Sequence, residues 1–522
     1  MGIKAPAQEK SKVPPELEAF EEGIIKLDGR YQVPLMLKDP GIPAGSDNRW
    51  LAERRLQAQL NRFRPQPELL KQYDTAIRAY FNEDHAERVE EKLLPRENVY
   101  YMPHHAVIRR EAVTTKLRVV FDASSHALGH PCLNDVLFKG TKLGVDIVQL
   151  LLTFRCHPVV LIADIKKAYL QMLIRPEDCD VLRFLWIDRL PSDQDPSPSV
   201  VTWRMTRVPF GASSNPFVLA ATIRHHLALC REQHPETVAL LEKAFYVDDL
   251  IVGLPNVDEA ATVYNEARKI FSEASMELRK WASNAHALRK IFLRDKIAFE
   301  NEAGESTLIK VLGVPWEREG DRIVLMVREA LDFAANKPST KRIVLQTLAR
   351  VYDPLGYLAP FSLRAKLLFQ DLWKKKCAWD DALPPEEQAS WNSWRTELAS
   401  MNPYSADRYV FLQSVDATIS IELHVFCDAS PRAYGTCIYA QALSPNGACN
   451  SQLLISKSRV ASFHDEPTAG RLQVTGTYDR VRRRFLWAGL YPSVQKYVTS
   501  CNYVKVENHA SSQPPSPYGH PR

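Results

Sequence analysis

The stretch "AFYVDDLIVG", residues 244–253, sets two adjacent carboxylates, Asp248 and Asp249, inside an otherwise apolar run. A solvated turn between strands is the bland account of an Asp-Asp pair, because turns favour Asp. Here "AFYV" and "LIVG" both read as strand, so the pair falls at the tip of a mostly buried hairpin. Carboxylates packed side by side repel each other and lose hydration unless a cation binds them. A hard divalent cation such as Mg²⁺ takes carboxylate oxygens and keeps positions for water or phosphate.

Such a site calls for a further acidic group. "VVLIADIKKAYLQMLI", residues 159–174, supplies Asp164 at the end of an apolar strand, ahead of a basic helix start. Asp164 beside the hairpin completes a carboxylate set able to hold two metal ions, the arrangement that activates an attacking oxygen and stabilises a leaving one in phosphoryl transfer. Lys116, Arg118, Lys166 and Lys167 stand at element ends, where phosphates can meet them. "VPFGASSNPF", residues 208–217, is a Gly/Ser/Asn/Pro turn whose backbone can approach a flat ligand closely.

The rest of the chain sets bounds. Its 522 residues allow several domains, and 45% hydrophobic with 25% charged residues is an ordinary globular balance. A net charge of +5 is compatible with a polyanionic partner without requiring one. The longest apolar runs fall far short of the roughly 18 residues a membrane span needs. The first residues, "MGIKAPAQEKSKVPPELEAF", lack the apolar core of a signal peptide, and Pro6 argues against myristoylation at Gly2. The nine cysteines form no C-x-x-C pair, which points to reduced thiols and an intracellular setting, in a cytoplasmic particle or the nucleus.

Local patterns predict the elements. "GRYQVPLML" reads as a short strand. "SDNRWLAERRLQAQLNRF" reads as a helix capped by Asp47 and Asn48, with Trp50, Leu56, Leu60 and Phe63 as its stripe. "LLKQYDTAIRAYF" is a second helix, and "KLRVVFDAS" a strand. "NVDEAATVYNEARKIFSEA" carries an Asn256-to-Glu259 capping signal and an apolar stripe through Val263, Ala267, Ile270 and Ala274. "LIKVLGVPWE" is strand, turn, strand. Residues 338–376 read as helix broken by "DPLGYLAP", and "IELHVFCDASPRAYGTCIYA" as a β pair. The tail "ENHASSQPPSPYGHPR" has the composition of disorder.

In order, "KLRVVFDASS", "ADIKKAYLQ", "VPFGASSNPF", "YVDDLIVG", "LRKWASN" and "LGVPW" resemble the fingers and palm of a reverse transcriptase. More narrowly, "YYMPHHAVIR", "LNDVLFKGTKL", "DPLGYLAP" and "FCDASPRAYG" resemble the Pao/BEL class of long-terminal-repeat retrotransposon polyproteins, over roughly residues 20–460. The resemblance implies an α+β right-hand polymerase with fingers, palm and thumb, followed by a partial RNase H-like β segment and a small helical C-terminal segment. It divides the chain into a helical extension (1–95), fingers and palm (96–320), thumb and connection helices (321–415), a truncated RNase H-like segment (416–461), a degenerate integrase zinc-binding-like segment (462–505) and a tail (506–522).

It also implies roles. Asp164, Asp248, Asp249 and the Ile165 carbonyl would hold Mg²⁺ or Mn²⁺. Tyr169 would be the sugar gate against a ribose 2′-hydroxyl. Phe210 and Gly211 would meet the incoming nucleotide and template. Arg118, and less surely Lys116, would meet the triphosphate, and Lys280 would protonate pyrophosphate. Gly313 and Trp316 would belong to the primer grip. In an arbitrary protein Tyr169, Phe210 and Trp316 would be core aromatics; the motif context lifts them. Lys167 stands where many relatives carry a third acidic residue. The implied partners are an RNA template, a DNA primer and deoxynucleoside triphosphates, without a membrane.

Near residue 461 the resemblance breaks. Asp428 would be the first metal carboxylate of an RNase H, standing without its partners. The segment that follows resembles an integrase zinc-binding domain in which His464 and Cys501 match, while Arg471 and Val504 replace the other ligands. Two ligands do not close a tetrahedral zinc site, so no zinc is expected. "YDRVRRRF" (478–485) reads equally as a nucleic-acid contact and as a solvated helix face. His126, His130 and Cys132 imitate metal spacing but read as loop residues. Neither an aspartic protease motif nor an integrase core is found, and the chain reads as a polyprotein segment with an internal deletion. The alternative is a catalytically inactive, nucleic-acid-binding remnant of a mobile element.

Overall fold

A computed structural model describes residues 14–38, 48–90, 99–108, 117–127, 129–191, 198–298, 308–335, 337–401, 404–411, 420–444 and 449–461. The cap at Asp47, Lys116, His464, Cys501 and the whole of 462–522 lie outside the described residues. The fold is mixed α+β.

The organising element is an antiparallel sheet in the order Phe245–Tyr246, Asp249–Leu254, Val159–Ile165, Leu278–Ala282. Side chains alternate across a strand, and here both faces are covered. Leu161, Ala163 and Ile165 join the main core, with Leu250, Val252 and Leu254 from the neighbouring strand and Ala260, Val263, Ala267 and Ile270 of the helix Val257–Glu273. Val160, Ile162 and Ile251 face the other way, onto Leu150, Phe154, Val311 and Trp316. That double burial explains why the strands read as continuous apolar runs rather than as alternating ones. Asp164 continues the 160–162 parity and Asp249 the parity of Ile251, so both acids emerge on the second face at one end of the sheet.

The predicted helix cap at Asn256 is present: its Oδ1 accepts from the Glu259 amide at 2.9 Å, and its Nδ2 donates to Glu259 Oε1 at 2.9 Å. The cap at Asn48 is not. Its side chain makes no cap bond to the helix Arg49–Phe63. Instead it is buried and clamps the backbone of Tyr101, donating to the carbonyl at 2.7 Å and accepting from the amide at 2.8 Å. Trp50, expected in the buried stripe, is exposed; Ala52, Leu56 and Phe63 carry the packing.

A second sheet runs Leu308–Val311, Val314–Glu317, Arg322–Leu325, Tyr404–Asp407. Helices Arg328–Ala335, Lys341–Leu348, Ala359–Lys374 and Pro385–Ser400 share a core around Trp391 and Trp394. The break between the middle two is built by Asp353, whose carboxylate accepts from the amides of Gly356, Tyr357 and Leu358 at 2.9, 3.0 and 2.6 Å. A third sheet, Ser420–Ala429, Ala433–Leu443 and Cys449–Val460, leans on the helix Ala359–Lys374: Ser458 Oγ donates to Ala359 O at 2.9 Å and Gln370 Nε2 to Ala461 O at 2.8 Å. Among the described residues, no helix is long and apolar enough to cross a membrane.

Candidate active site

Asp249 stands directly opposite Asp164 in the antiparallel register, and Tyr246 pairs with Asp249. The hairpin turn is therefore Val247–Asp248, one residue earlier than an Asp-Asp tip. Val247 holds φ at 59°, a conformation a β-branched residue rarely adopts. The Ile165 amide donates to the Asp248 carbonyl at 3.0 Å, tying the turn to the end of the neighbouring strand. Burial pushes Asp249 up to about 6, with the charges of Asp248 and Asp164 adding to it. Asp248 is raised as well, first by burial and then by Asp164. The sequence thus concentrates acid where water is scarce, at an energetic cost that a bound cation would offset.

On its other flank Asp164 faces base. Arg279 is its partner in the strand Leu278–Ala282, whose register then slips at a β-bulge before Ala282. Lys280 sits in the bulge with φ 55°. Bulges re-aim side chains, and here consecutive residues reach one carboxylate: Arg279 Nε lies 3.1 Å from Oδ1 and Lys280 Nζ 2.7 Å from Oδ2. Arg279 escaped the sequence reading; its only signal was the basic pair in "LRKWASN". Lys310 was also missed. With Asp164, Asp249, Lys280 and Leu312 it lines the cleft between the carboxylates and the second sheet. Among the described residues, no group of three or more His, Cys, Asp or Glu stands ready to hold a metal ion. The metal-like trio His126, His130 and Cys132 is loop and cap: the Cys132 thiol is buried and donates to Asp135 Oδ2 at 3.0 Å.

Tyr169 leaves the strand end on a short 3₁₀ turn, Ala168–Gln171, after Lys167 in left-handed geometry at φ 49°. Lys167 is paired with Glu83, and Lys166 with Glu277 at 2.8 Å. The Tyr169 ring meets Phe210 edge to face, centroids 5.1 Å apart. Its hydroxyl is pushed up to about 12 by burial and then by the Asp248 charge, so the ring and the acid share one electrostatic neighbourhood. Phe210 remains partly exposed, at 39%. Gly211 has φ 110°, and a Cβ there would fall 2.3 Å from the Phe121 carbonyl oxygen. No other residue fits that approach. Asn134 pins the same turn, accepting from the Ser213 amide at 2.8 Å. Phe121 ends the strand Leu117–Phe121, on which Arg118 is exposed.

The hairpin of the second sheet turns at Leu312 and Gly313, φ 48° and 85°. Positive φ at both central residues is the type I′ pattern. Tyr352 braces it, donating from Oη to Leu312 O at 2.8 Å. Trp316 does not reach this surface. It is fully buried, edge-on to Phe154 at 5.2 Å, with Nε1 donating to Asp321 Oδ1 at 3.0 Å. The indole is a post under the hairpin, leaving Gly313 exposed. Asp428 is exposed on the third sheet and, among the described residues, accepts the local Ala429 amide at 2.9 Å.

Residues 340–483 match the Pao retrotransposon-like RNaseH-like domain. The match takes in the helices from Lys341 onward and the third sheet, and leaves out the carboxylate cleft. Among solved structures the chain is similar to the foamy viral protease-reverse transcriptase dRH in complex with ds DNA, at 13% identity and TM-score 0.46, covering 77% of this chain and 58% of that one. It is similar as well to the foamy viral protease-reverse transcriptase in complex with RNA/DNA hybrid, at 13% identity and TM-score 0.45, covering 81% of this chain and 51% of that one. The chain thus spans little more than half the length of these structures. A search of curated proteins found no match.

Proposed function

We propose that this chain is the RNA-directed DNA polymerase of a retrotransposon, extending a primer 3′-hydroxyl with deoxynucleotides on an RNA template. The observation that carries the reading is the cross-strand pair of Asp164 and Asp249 with Asp248 in the adjoining turn. Three carboxylates stand near one sheet end, two of them raised by burial and mutual repulsion; drawn together around an ion, they would form a hard-oxygen donor set suited to Mg²⁺ or Mn²⁺. Asp164, Asp248 and Asp249, with the Ile165 carbonyl, would hold the ions. When bound, they supply electrostatic stabilisation of an in-line phosphoryl transfer.

The chain's own residues do the rest. Tyr169, backed by Phe210, closes the space a 2′-hydroxyl would need. Gly211 lets the backbone come within reach of a flat base pair. Arg118, and Lys116 beyond the described residues, meet the triphosphate. Lys280 places an ammonium beside Asp164 and donates a proton to the leaving pyrophosphate. Gly313 presents the turn above the cleft to the primer. Among the described residues no group of acids converges on Asp428, so hybrid cleavage by the third sheet is not part of the reading, and no zinc is assigned.

A second reading has its own observation. Arg279 and Lys280 already neutralise Asp164, as they would in a catalytically inactive nucleic-acid-binding remnant. Incubating the purified chain with a DNA primer annealed to RNA, deoxynucleotides and Mg²⁺ separates the two. The polymerase reading expects template-directed extension. A folded chain that binds the duplex and never extends it supports the remnant.

A further inference from the structure

We propose that Arg279 is a positioning residue that, with Lys280, holds the Asp164 carboxylate in the free protein, so that Asp164 joins a divalent ion only by exchanging the guanidinium for it. The inference rests on the polymerase reading and deepens it. Asp164 is flanked in register by an acid on one side, Asp249, and a base on the other, Arg279. Successive residues of a regular strand point to opposite faces. Here the bulge, with Lys280 at φ 55°, brings two successive cations to the two oxygens of one carboxylate. A side chain bearing a Cβ seldom adopts that geometry. The exposures differ in a telling way. The Arg279 side chain is 38% accessible and Asp164 only 18%, so the arginine has solvent to move into while the carboxylate stays in place. Since no three acidic groups among the described residues stand ready to hold a metal ion, a free protein in which cations hold Asp164 and a loaded one in which metal holds it are different arrangements of the same residues. Arg279 has no assigned part in the chemistry, so its removal probes the exchange alone.

The test is Mn²⁺ binding by the full chain without nucleotide or nucleic acid, read from the electron paramagnetic resonance of free Mn²⁺. Arg279→Gln should tighten binding by about two- to fivefold, the range partly exposed ion pairs span, and Arg279→Lys should stay near wild type. In an Asp164→Asn background the Arg279→Gln effect should vanish. A folded Arg279→Gln protein with unchanged or weaker Mn²⁺ affinity overturns the proposal. Wild-type binding that Asp248→Asn does not weaken overturns the carboxylate reading beneath it. A second readout keeps the native chain. The Arg279 Nε–H resonance of ¹⁵N-labelled protein should shift on adding Mg²⁺, and its indifference to Mg²⁺ at concentrations that load the site overturns the exchange.

Discussion

Asp249 and Asp164 face each other across neighbouring antiparallel strands, at the end of a sheet whose faces are otherwise sealed by apolar side chains. Everything assigned to the cleft depends on that register. A slip of one residue would turn Asp164 into the main core and Ile165 out of it.

The register carries a stability signature. Asp249 has its carboxyl raised from 3.8 to about 6. A carboxyl with a folded pKa above its unfolded value binds more protons in the folded state. It therefore weakens the fold as pH climbs from about 4 through about 6, and the full cost is present at pH 7. Asp249→Asn should stabilise the protein by about 1–2 kcal/mol at pH 7, allowing for solvent screening. The gain should close towards pH 4 in urea denaturation. A variant less stable than wild type at pH 7 would contradict the placement.

Gly211→Ala should disrupt the turn beside Tyr169. The added Cβ meets the Phe121 carbonyl at 2.3 Å in a backbone with φ 110°. A strained residue of this kind costs about 1–3 kcal/mol. A lower melting temperature and loss of extension are the expected readouts; wild-type behaviour in both would mean the turn is not built this way.

Tyr169→Ala should admit ribonucleotides, because the ring packed on Phe210 would no longer fill the space beside the sugar. The measurement is the ratio of extension efficiencies for a deoxynucleotide and its ribonucleotide. An unchanged ratio would assign the ring to the core.

The strand Ser420–Ala429 is the outer strand of the third sheet, and among the described residues nothing pairs with its free edge. Ile421, Leu423 and Val425 are each at least half exposed on one face. Long apolar edges promote association. Replacing Leu423 and Val425 together by Lys should lower light scattering at high protein concentration while leaving the far-ultraviolet circular dichroism intact. Scattering that persists would place the sticky surface elsewhere.

How far the sequence could be read follows from which interactions are local. The apolar strands and the Asn256 cap are encoded within a few residues and are legible there; the hairpin is legible too, but its turn falls at Val247–Asp248 rather than at the Asp-Asp pair, because Asp249 is already paired in the strand. Asn48 has the side chain of a cap, yet its partner is Tyr101, and nothing nearby in sequence announces that. The motif resemblance puts Trp316 in the primer grip with Gly313, whereas its indole answers to Phe154 and Asp321 below the hairpin. Arg279 shows in the sequence as no more than half of a basic pair, which alternation along a strand would send to opposite faces; the bulge that unites it with Lys280 is a property of the pairing with Asp164, not of "LRKWASN" alone.

The most direct test of the central claim compares wild type with Asp248→Asn in primer extension on an RNA template with Mg²⁺, alongside template-binding affinity for both. The account predicts that the variant binds the primer–template as wild type does and loses about 10²-fold or more in extension rate, the scale seen when a charge-stabilising group is removed. Extension by Asp248→Asn within a few-fold of wild type would contradict it.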